Sequence, residues 1–523
     1  MESLKIGGRQ TILDLFAAGV IDTPAQTFIR TAAAEFTYAE IEQGAERFAQ
    51  LLAEFGIGHG GRVALAVTNR PAFVVAFLGI LRRGGVAVPL NTQYKPDECR
   101  YALEHAQCQA VVTEEALRAT VDEACRSLDH PPALLVAAAD SETCFTVEKA
   151  VQARIPTPAR RPCAADLAGI FYTSGTTARP KGVMISHENM MYSAEVTIRS
   201  LSLSKDDVPA LAFPLFHVNS LFYGVLTTIA LGGSLGLLRG FSVSNYWKDV
   251  SAVHATWTPA ITGPMIRLFL KQPPSDLDRS HGLRLAVGGT FLSLDELDVF
   301  THRFGVKLLP AWSMTETVAL GTVHPNQRRL AFPSTTAIGY PTLGSEIRLV
   351  DAEGVDVAPG QPGEIFFRSP SLFQGYLNDE QATRSAFTEQ GWFRTGDVAQ
   401  MDASGYLTFV DRKRDMIKSK GENVAAAEVE RVLAQYPGVI ESAVVGVPDK
   451  EGLWGERIEA FVVRSAQAEF SEEELIAWVQ KHLADFKVPK AIHFVEALPK
   501  NSLGKIQRQA LKAARLASLK SGS

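Results

Sequence analysis

Residues 167–187 read LAGIFYTSGTTARPKGVMISH and gather hydroxyls, glycines and a lysine within one short loop. An apolar run through Phe171 and Tyr172 enters Thr173, Ser174, Gly175, Thr176 and Thr177. Lys181 and Gly182 follow, and a second apolar run leaves. Hydroxyls, glycine N–H groups and one ammonium are what a polyphosphate requires, because its charge must be met by converging donors. A plain Ser/Thr/Gly hairpin has the same composition, and by composition alone both readings stand. The stretch is not a P-loop. From Gly175 the order GTTARPKG does not fit G-x4-G-K-[ST], and its exit reads as a strand rather than a helix.

Further segments follow in the chain: FPLFHV (213–218), LAVGGT (285–290), WSMTE (312–316), GWFRTGD (391–397), DRKRDMIKSKGENV (411–424) and PKNSLGK (499–505). Together with TSGTTARPKG they closely resemble, in order, the motifs of the adenylate-forming superfamily. Its members include acyl-CoA synthetases, firefly luciferase and the adenylation domains of peptide synthetases. The resemblance covers nearly the whole chain and is nearest to fatty acyl-CoA and carnitine/crotonobetaine-CoA ligases.

The resemblance implies a two-step reaction, carboxylate + ATP → acyl-AMP + pyrophosphate, then displacement of AMP by a thiol. Thr173, Ser174, Gly175, Thr176, Thr177 and Lys181 match the loop that holds the terminal phosphates. Glu316 matches the magnesium ligand and Thr315 a phosphate contact. Gly288 and Gly289 match the strand end beside the adenine, and Trp312 stands where the family has a stacking Tyr. Asp397 and Arg412 match the pair that bonds the ribose hydroxyls. Lys505 matches the lysine that reaches the α-phosphate and carboxylate during adenylation; alone it would read as a solvated charge.

For the thiol step, the resemblance implies that Lys418 and Gly421 enter the site and that Trp454 and Phe486 contact coenzyme A. His217 matches the gate histidine. Val218, Asn219, Phe222, Thr290 and Met314 match the lining of the acyl pocket, with Gly288 and Gly289. The chain departs from the family pattern at Trp312, at Ser313 in place of Gly, at Arg414 in the hinge, and at Val488 where some relatives carry Arg. Carnitine-type ligases carry an acid two residues after the gate histidine, which suits a quaternary ammonium, whereas this chain has neutral Asn219. The expectation is therefore an uncharged or modestly polar aliphatic acid of short to medium length, in fatty acid and lipid metabolism. Implied cofactors and partners are ATP, Mg2+ and coenzyme A. The alternatives are an acyl carrier protein's phosphopantetheine as acceptor, a betaine-type CoA ligase, a luciferase-like oxygenation of the same adenylate, and a non-catalytic nucleotide-binding scaffold.

The elements that must position these residues are legible in outline. Helical AEIEQGAERFAQLLAEFGI and AFVVAFLGILRRGG alternate with strand-like RVALAV and GVAVPLN. A second series runs through DVPALAFP, GSLGLL, ATWTP, RLAVGG and VKLLPAW. Alternation of this kind predicts an α/β fold with two α/β layers and mostly parallel strands. Gly-punctuated runs from about residue 335 predict a small β-rich subdomain, and a C-terminal α+β domain follows. The expected boundaries are 1–411, a hinge at 412–416, and a mobile lid at 417–523.

The chain's 523 residues exceed one core. A net charge of −5 gives no reason to expect nucleic acid. The cysteines (Cys99, Cys108, Cys125, Cys144, Cys163) are odd in number and lack CxxC spacing, which fits a reducing cytosol rather than a disulfide framework or zinc site. With no apolar run of about 18 residues and no signal-like start, the expectation is a cytoplasmic enzyme without a transmembrane segment. A homodimer is compatible with it. The basic tail 500–523 reads as a solvated helix face, with polyanion binding as its alternative.

Overall fold

Thr37 opens the helix Tyr38–Glu54 with a capping box, its hydroxyl accepting from Glu40 N–H while the Glu40 carboxylate accepts from Thr37 N–H. Tyr38, Ile41, Ala45, Phe48 and Leu52 recur at helical spacing and are buried. This stripe packs on the buried helix Pro71–Arg82, where a Cβ on Gly79 would lie 2.8 Å from the Ala45 carbonyl oxygen. Only glycine permits that approach.

The structure is a computed structural model. It describes residues 10–138, 141, 145–149, 161–173, 180–288, 292–326, 336–419, 422–448, 456–465, 467–483, 485–500 and 506–521, without the side chains of 146–149, 414, 418, 422, 423, 520 and 521. Of the sequence-derived site residues, Ser174, Gly175, Thr176, Thr177, Gly289, Thr290, Gly421, Trp454 and Lys505 lie outside the described residues. For Lys418 only the backbone is described.

The chain divides into two compact units, residues 1–346 with 367–393 and residues 347–366 with 394–523. In the first unit one sheet has the order Gly375–Tyr376, Lys181–Ser186, Leu167–Thr173, Val86–Pro89, Arg62–Ala66, Ala110–Thr113, Ala133–Ala137, Phe145–Lys149. Its central strands are parallel. Ala64, Val86, Val88, Val111 and Leu134 pack on Cys99, Leu103 and Val121 of the flanking helices. The alternate residues Val63, Leu65, Ala87 and Leu135 are equally buried, as a parallel sheet covered on both faces requires. The second layer holds the parallel strands Trp257–Ile261, Leu285–Gly288 and Lys307–Leu309 over a core of Trp247, Phe269, Phe300 and Phe304. An antiparallel meander, Ala311–Trp312, Thr322–Val323 and Ala337–Pro341, follows. The two α/β layers expected from the sequence are present.

In the second unit, the antiparallel strands Phe393–Met401 and Leu407–Arg412 lead through the turn Lys413–Asp415 to the hairpin Met416–Ser419/Glu422–Ala425. Beyond it lie the helix Ala426–Ala434 and a sheet of Val439–Pro448, Glu456–Arg464 and Ala491–Phe494. The division into units therefore does not fall at residue 411. Leu407–Arg412 packs on the helix Ala426–Ala434, and the buried Asp411 carboxylate accepts from Ala427 N–H (3.1 Å) and Arg412 N–H (2.7 Å). Burial holds Asp411 above the ordinary aspartate range.

The basic tail forms the helix Arg508–Ser521, yet three of its cations are engaged. Arg508 pairs with Glu430, Lys512 with Glu456, and Arg515 with the fully buried Glu459. The helix ends the unit with Gln509, Ala510, Ala513, Ala514 and Ala517 exposed, as the solvated-face reading expects, while these three cations pair with acids of the unit on its other side. Cys99, Cys108, Cys125 and Cys163 are free thiols, and burial pushes Cys99 up to about 12. Among the described residues no helix is long and apolar enough to cross a membrane.

Candidate active site

Leu167–Thr173 and Lys181–Ser186 pair antiparallel, with Thr173 opposite Lys181, so the loop between them is closed by a strand ladder at its mouth. The exit is a strand, as the sequence indicates. Lys181 is half-buried, and its ammonium lies 4.7 Å from the centroid of the Tyr376 ring. Among the described residues it forms no ion pair. Tyr101 Oη donates to the Pro180 carbonyl (3.1 Å) and stacks on His105, tethering the loop's descending end.

Glu316 sits on a tight loop after Ala311–Trp312. The Thr317 hydroxyl accepts from Met314 N–H (2.9 Å), and the Ser371 hydroxyl donates to the Thr317 carbonyl (2.6 Å). Val318 is held at φ +61° while fully buried, with Ser193 donating to its carbonyl. A β-branched residue in this region is strained by roughly 1–2 kcal/mol and persists only where its surroundings determine it. The Glu316 side chain is 8% exposed. Its Oε1 accepts from Tyr376 Oη (3.0 Å), and its carbonyl accepts from Phe373 N–H (3.0 Å). Burial and the adjoining Glu316 carboxylate push the Tyr376 phenol upward, so it donates at neutral pH.

Gly288 ends its strand at φ +125°, where a Cβ would lie 2.1 Å from the Ile261 carbonyl oxygen. Trp312 is buried, with its indole against Gly321 and edge-on to Phe367. Thr315 and Met314 are half-buried on the Glu316 loop. His217, with Phe216 at 4.2 Å, precedes the eight-residue helix Asn219–Leu226, which is of π type, a form that recurs at functional sites. Val218 and Phe222 are buried, and Phe222 meets Phe171 edge-on at 5.1 Å. Asn219 Nδ2 donates to the Pro259 carbonyl (3.0 Å). A carbonyl only accepts, so Oδ1 must take the opposite side; it is buried and without a hydrogen bond among the described residues.

In the second unit, Asp397 and Arg412 lie directly opposite each other across two antiparallel strands, Nε to Oδ1 3.5 Å. Asp397 is 5% exposed, whereas the Arg412 side chain is 44% exposed. Lys413 pairs with Glu364 (2.6 Å), fixing the turn after Arg412. Lys418 lies opposite Asn423 in its hairpin. Phe486 packs, half-buried, on the core of this unit beneath Lys487.

Lys181, Glu316 and Tyr376 thus meet in one unit, and Asp397 and Arg412 in the other. Tyr376 was not singled out by sequence. A Gly-Tyr pair is an ordinary strand signal, and its partners are remote in the chain. Among the described residues no three His, Cys, Asp or Glu side chains cluster to hold a metal. Glu316 offers one hard carboxylate, the donor magnesium takes when phosphate oxygens complete its shell.

The AMP-binding enzyme family model matches residues 16–377, and the AMP-binding enzyme C-terminal domain model matches 428–505. The crotonobetaine/carnitine–CoA ligase of Proteus mirabilis is 32% identical over 492 residues, covering 91% of this chain and 93% of that protein. The ATP-bound MatB structure from Rhodopseudomonas palustris aligns with a TM-score of 0.84 at 30% identity, over 96% of this chain and 98% of its own. A benzoate CoA ligase from Burkholderia xenovorans aligns at 0.82 and 28% identity, over 96% and 99%. With both models matched in order along one α/β fold, the chain belongs to the AMP-binding enzyme family, as an AMP-forming acid–CoA ligase.

Proposed function

We propose that this ligase uses ATP and magnesium to activate an uncharged or modestly polar aliphatic acid of short to medium length, and passes the acyl group to coenzyme A. The observation that carries the nucleotide part is the meeting of Lys181, Tyr376 and Glu316 beside the mouth of the hydroxyl-rich loop. An ammonium and a carboxylate held on one phenol suit a polyphosphate and its cation. When bound, magnesium supplies charge neutralisation on the phosphate oxygens, with Glu316 as its protein ligand.

In the first step an oxygen of the substrate carboxylate attacks the α-phosphorus and pyrophosphate leaves with the bonding electrons. Lys181 holds the departing phosphates, and Lys505 the charge building on the α-phosphate. Asp397, buried and held opposite Arg412, offers the ribose hydroxyls a fixed acceptor. In the second step a thiolate attacks the acyl carbon and AMP leaves, with Lys418 and Gly421 as the residues presented. Relatives named as CoA ligases favour coenzyme A over a carrier protein.

Asn219 supports the acid class. Neutral at the position where carnitine-type ligases are acidic, it gives a trimethylammonium group no counter-charge. Its oriented Oδ1 is an acceptor in want of a donor, which a hydroxyl on the acyl chain would satisfy. The test is pyrophosphate release across a panel of carboxylic acids, each with and without coenzyme A, with products identified by mass. Turnover that needs coenzyme A and yields an acyl-CoA bears the reading out. Acyl-AMP that accumulates regardless of coenzyme A points to a carrier protein. Preference for quaternary ammonium acids overturns the substrate class.

A further inference from the structure

We propose that Tyr376 is a positioning residue that keeps the Lys181 ammonium and the Glu316 carboxylate from pairing with each other, so that each serves its own part of the nucleotide site. The inference rests on the nucleotide reading above. An ammonium and a carboxylate facing one water-poor site neutralise each other unless something stands between them. Tyr376 engages the two separately: the ammonium lies over its ring face at 4.7 Å, while its hydroxyl donates to Glu316 Oε1 at 3.0 Å. The electron-rich face satisfies the cation without an anion. The phenolic hydrogen fixes the carboxylate rotamer.

The backbone around Tyr376 is held from three sides. Tyr376 pairs with Val183, two residues beyond Lys181, and Leu377 N–H donates to the Gly182 carbonyl (2.8 Å). Tyr376 N–H donates to the Thr383 hydroxyl (2.9 Å), whose own hydrogen goes to the Asp379 carbonyl. Gly375, at φ +140°, passes so close to Thr383 that a Cβ would lie 2.9 Å from its methyl group. Three residues before Tyr376, Phe373 N–H holds the Glu316 carbonyl. One short segment therefore fixes the phenol against both the strand that starts at Lys181 and the loop that carries Glu316.

Two variants separate the functions of ring and hydroxyl. Tyr376→Phe keeps the ring and loses the donor; Tyr376→Ala loses both. ATP binding is read by thermal shift with EDTA and across a Mg2+ titration, beside wild type. In Tyr376→Phe, the ATP Kd in EDTA stays within about twofold, and the Mg2+ concentration for half the ATP-dependent shift rises roughly tenfold, the scale of one charge-assisted hydrogen bond. In Tyr376→Ala, ATP binding in EDTA also weakens, roughly tenfold, as Lys181 turns to Glu316. A Phe variant with unchanged Mg2+ dependence overturns the inference, as does an Ala variant that merely melts lower while binding ATP normally. Failure of wild type to bind ATP would instead overturn the nucleotide reading itself.

Discussion

Changing Asn219 to Asp tests the substrate reading at a single atom. In wild type the amide donates to the Pro259 carbonyl at 3.0 Å. The substitution replaces N–H···O with two oxygens facing each other, so one hydrogen bond is lost and a partly buried acceptor is left unpaired. That costs about 2–4 kcal/mol of stability. The new carboxylate has two ways out: to take up a proton and donate to Pro259, or to attract a cation. A trimethylammonium at roughly 4–5 Å gains about 3–4 kcal/mol at an effective dielectric near 20. Desolvation of the carboxylate returns part of that gain. A net change of about 2.7 kcal/mol corresponds to a hundredfold shift in relative kcat/KM. The assay is pyrophosphate release with γ-butyrobetaine and its uncharged tert-butyl isostere, so that shape is constant and only charge differs. Wild type should prefer the isostere, and the variant should move the ratio about a hundredfold toward the betaine. An unchanged ratio, in a variant that still gains heat stability from ATP, would refute the placement of Asn219 against the acyl group.

Other expectations follow from the same geometry. Gly288→Ala forces a Cβ to 2.1 Å from the Ile261 oxygen at φ +125°, and the two strands must part; a loss of about 3 kcal/mol or more in urea unfolding is expected. Lys505→Ala should abolish pyrophosphate release yet leave thioester formation from supplied acyl-AMP, and Lys418→Ala the reverse; equal loss of both half-reactions in either variant would undo that division. His187 is fully buried, and neither ring nitrogen has a hydrogen bond among the described residues. Burial lowers it from 6.5 to about 4, with Asp166 and Asp14 opposing. Its folded value lies below its unfolded one, so stability is full above about 6.5 and falls as pH drops toward 4, by up to roughly 3 kcal/mol. His187→Leu should flatten that part of a urea-midpoint profile; an unaltered slope would show that another group carries it.

What the sequence made legible was contiguous. The loop that starts at Thr173 and ends at Lys181 carries its chemistry within one short run, and its strand exit follows from VMIS being apolar without a helical period. Asp397 and Arg412 became a candidate pair through resemblance alone, since nothing in either residue type says that they face each other across two strands. Tyr376 stayed hidden for a related reason: its hydroxyl meets a carboxylate 60 residues away, and its ring meets a lysine more distant still. Such contacts depend on strand order, and the interleaving of Gly375–Tyr376 beside Lys181–Ser186 at one edge of the sheet cannot be inferred from periodicity. The tail was legible as a helix with a solvated face, but counting its basic residues gives no view of Glu430, Glu456 and Glu459, which come from other elements of the same unit. The boundary at 411 followed the change in composition, whereas packing is set by the Asp411 carboxylate gripping a helix on its far side.

The left-handed Val318 has a consequence for anyone engineering this enzyme. Relief of its backbone strain by glycine would return roughly 1–2 kcal/mol. The valine side chain, however, is fully buried beneath the loop that carries Thr315 and Glu316. Removing it would empty core volume at a cost of about 2–3 kcal/mol or more, so a library screened on melting temperature would keep the valine, and with it the packing next to the carboxylate. Strain and packing are thus bound to one residue, and heat resistance and the rigidity of the Glu316 loop are selected together there.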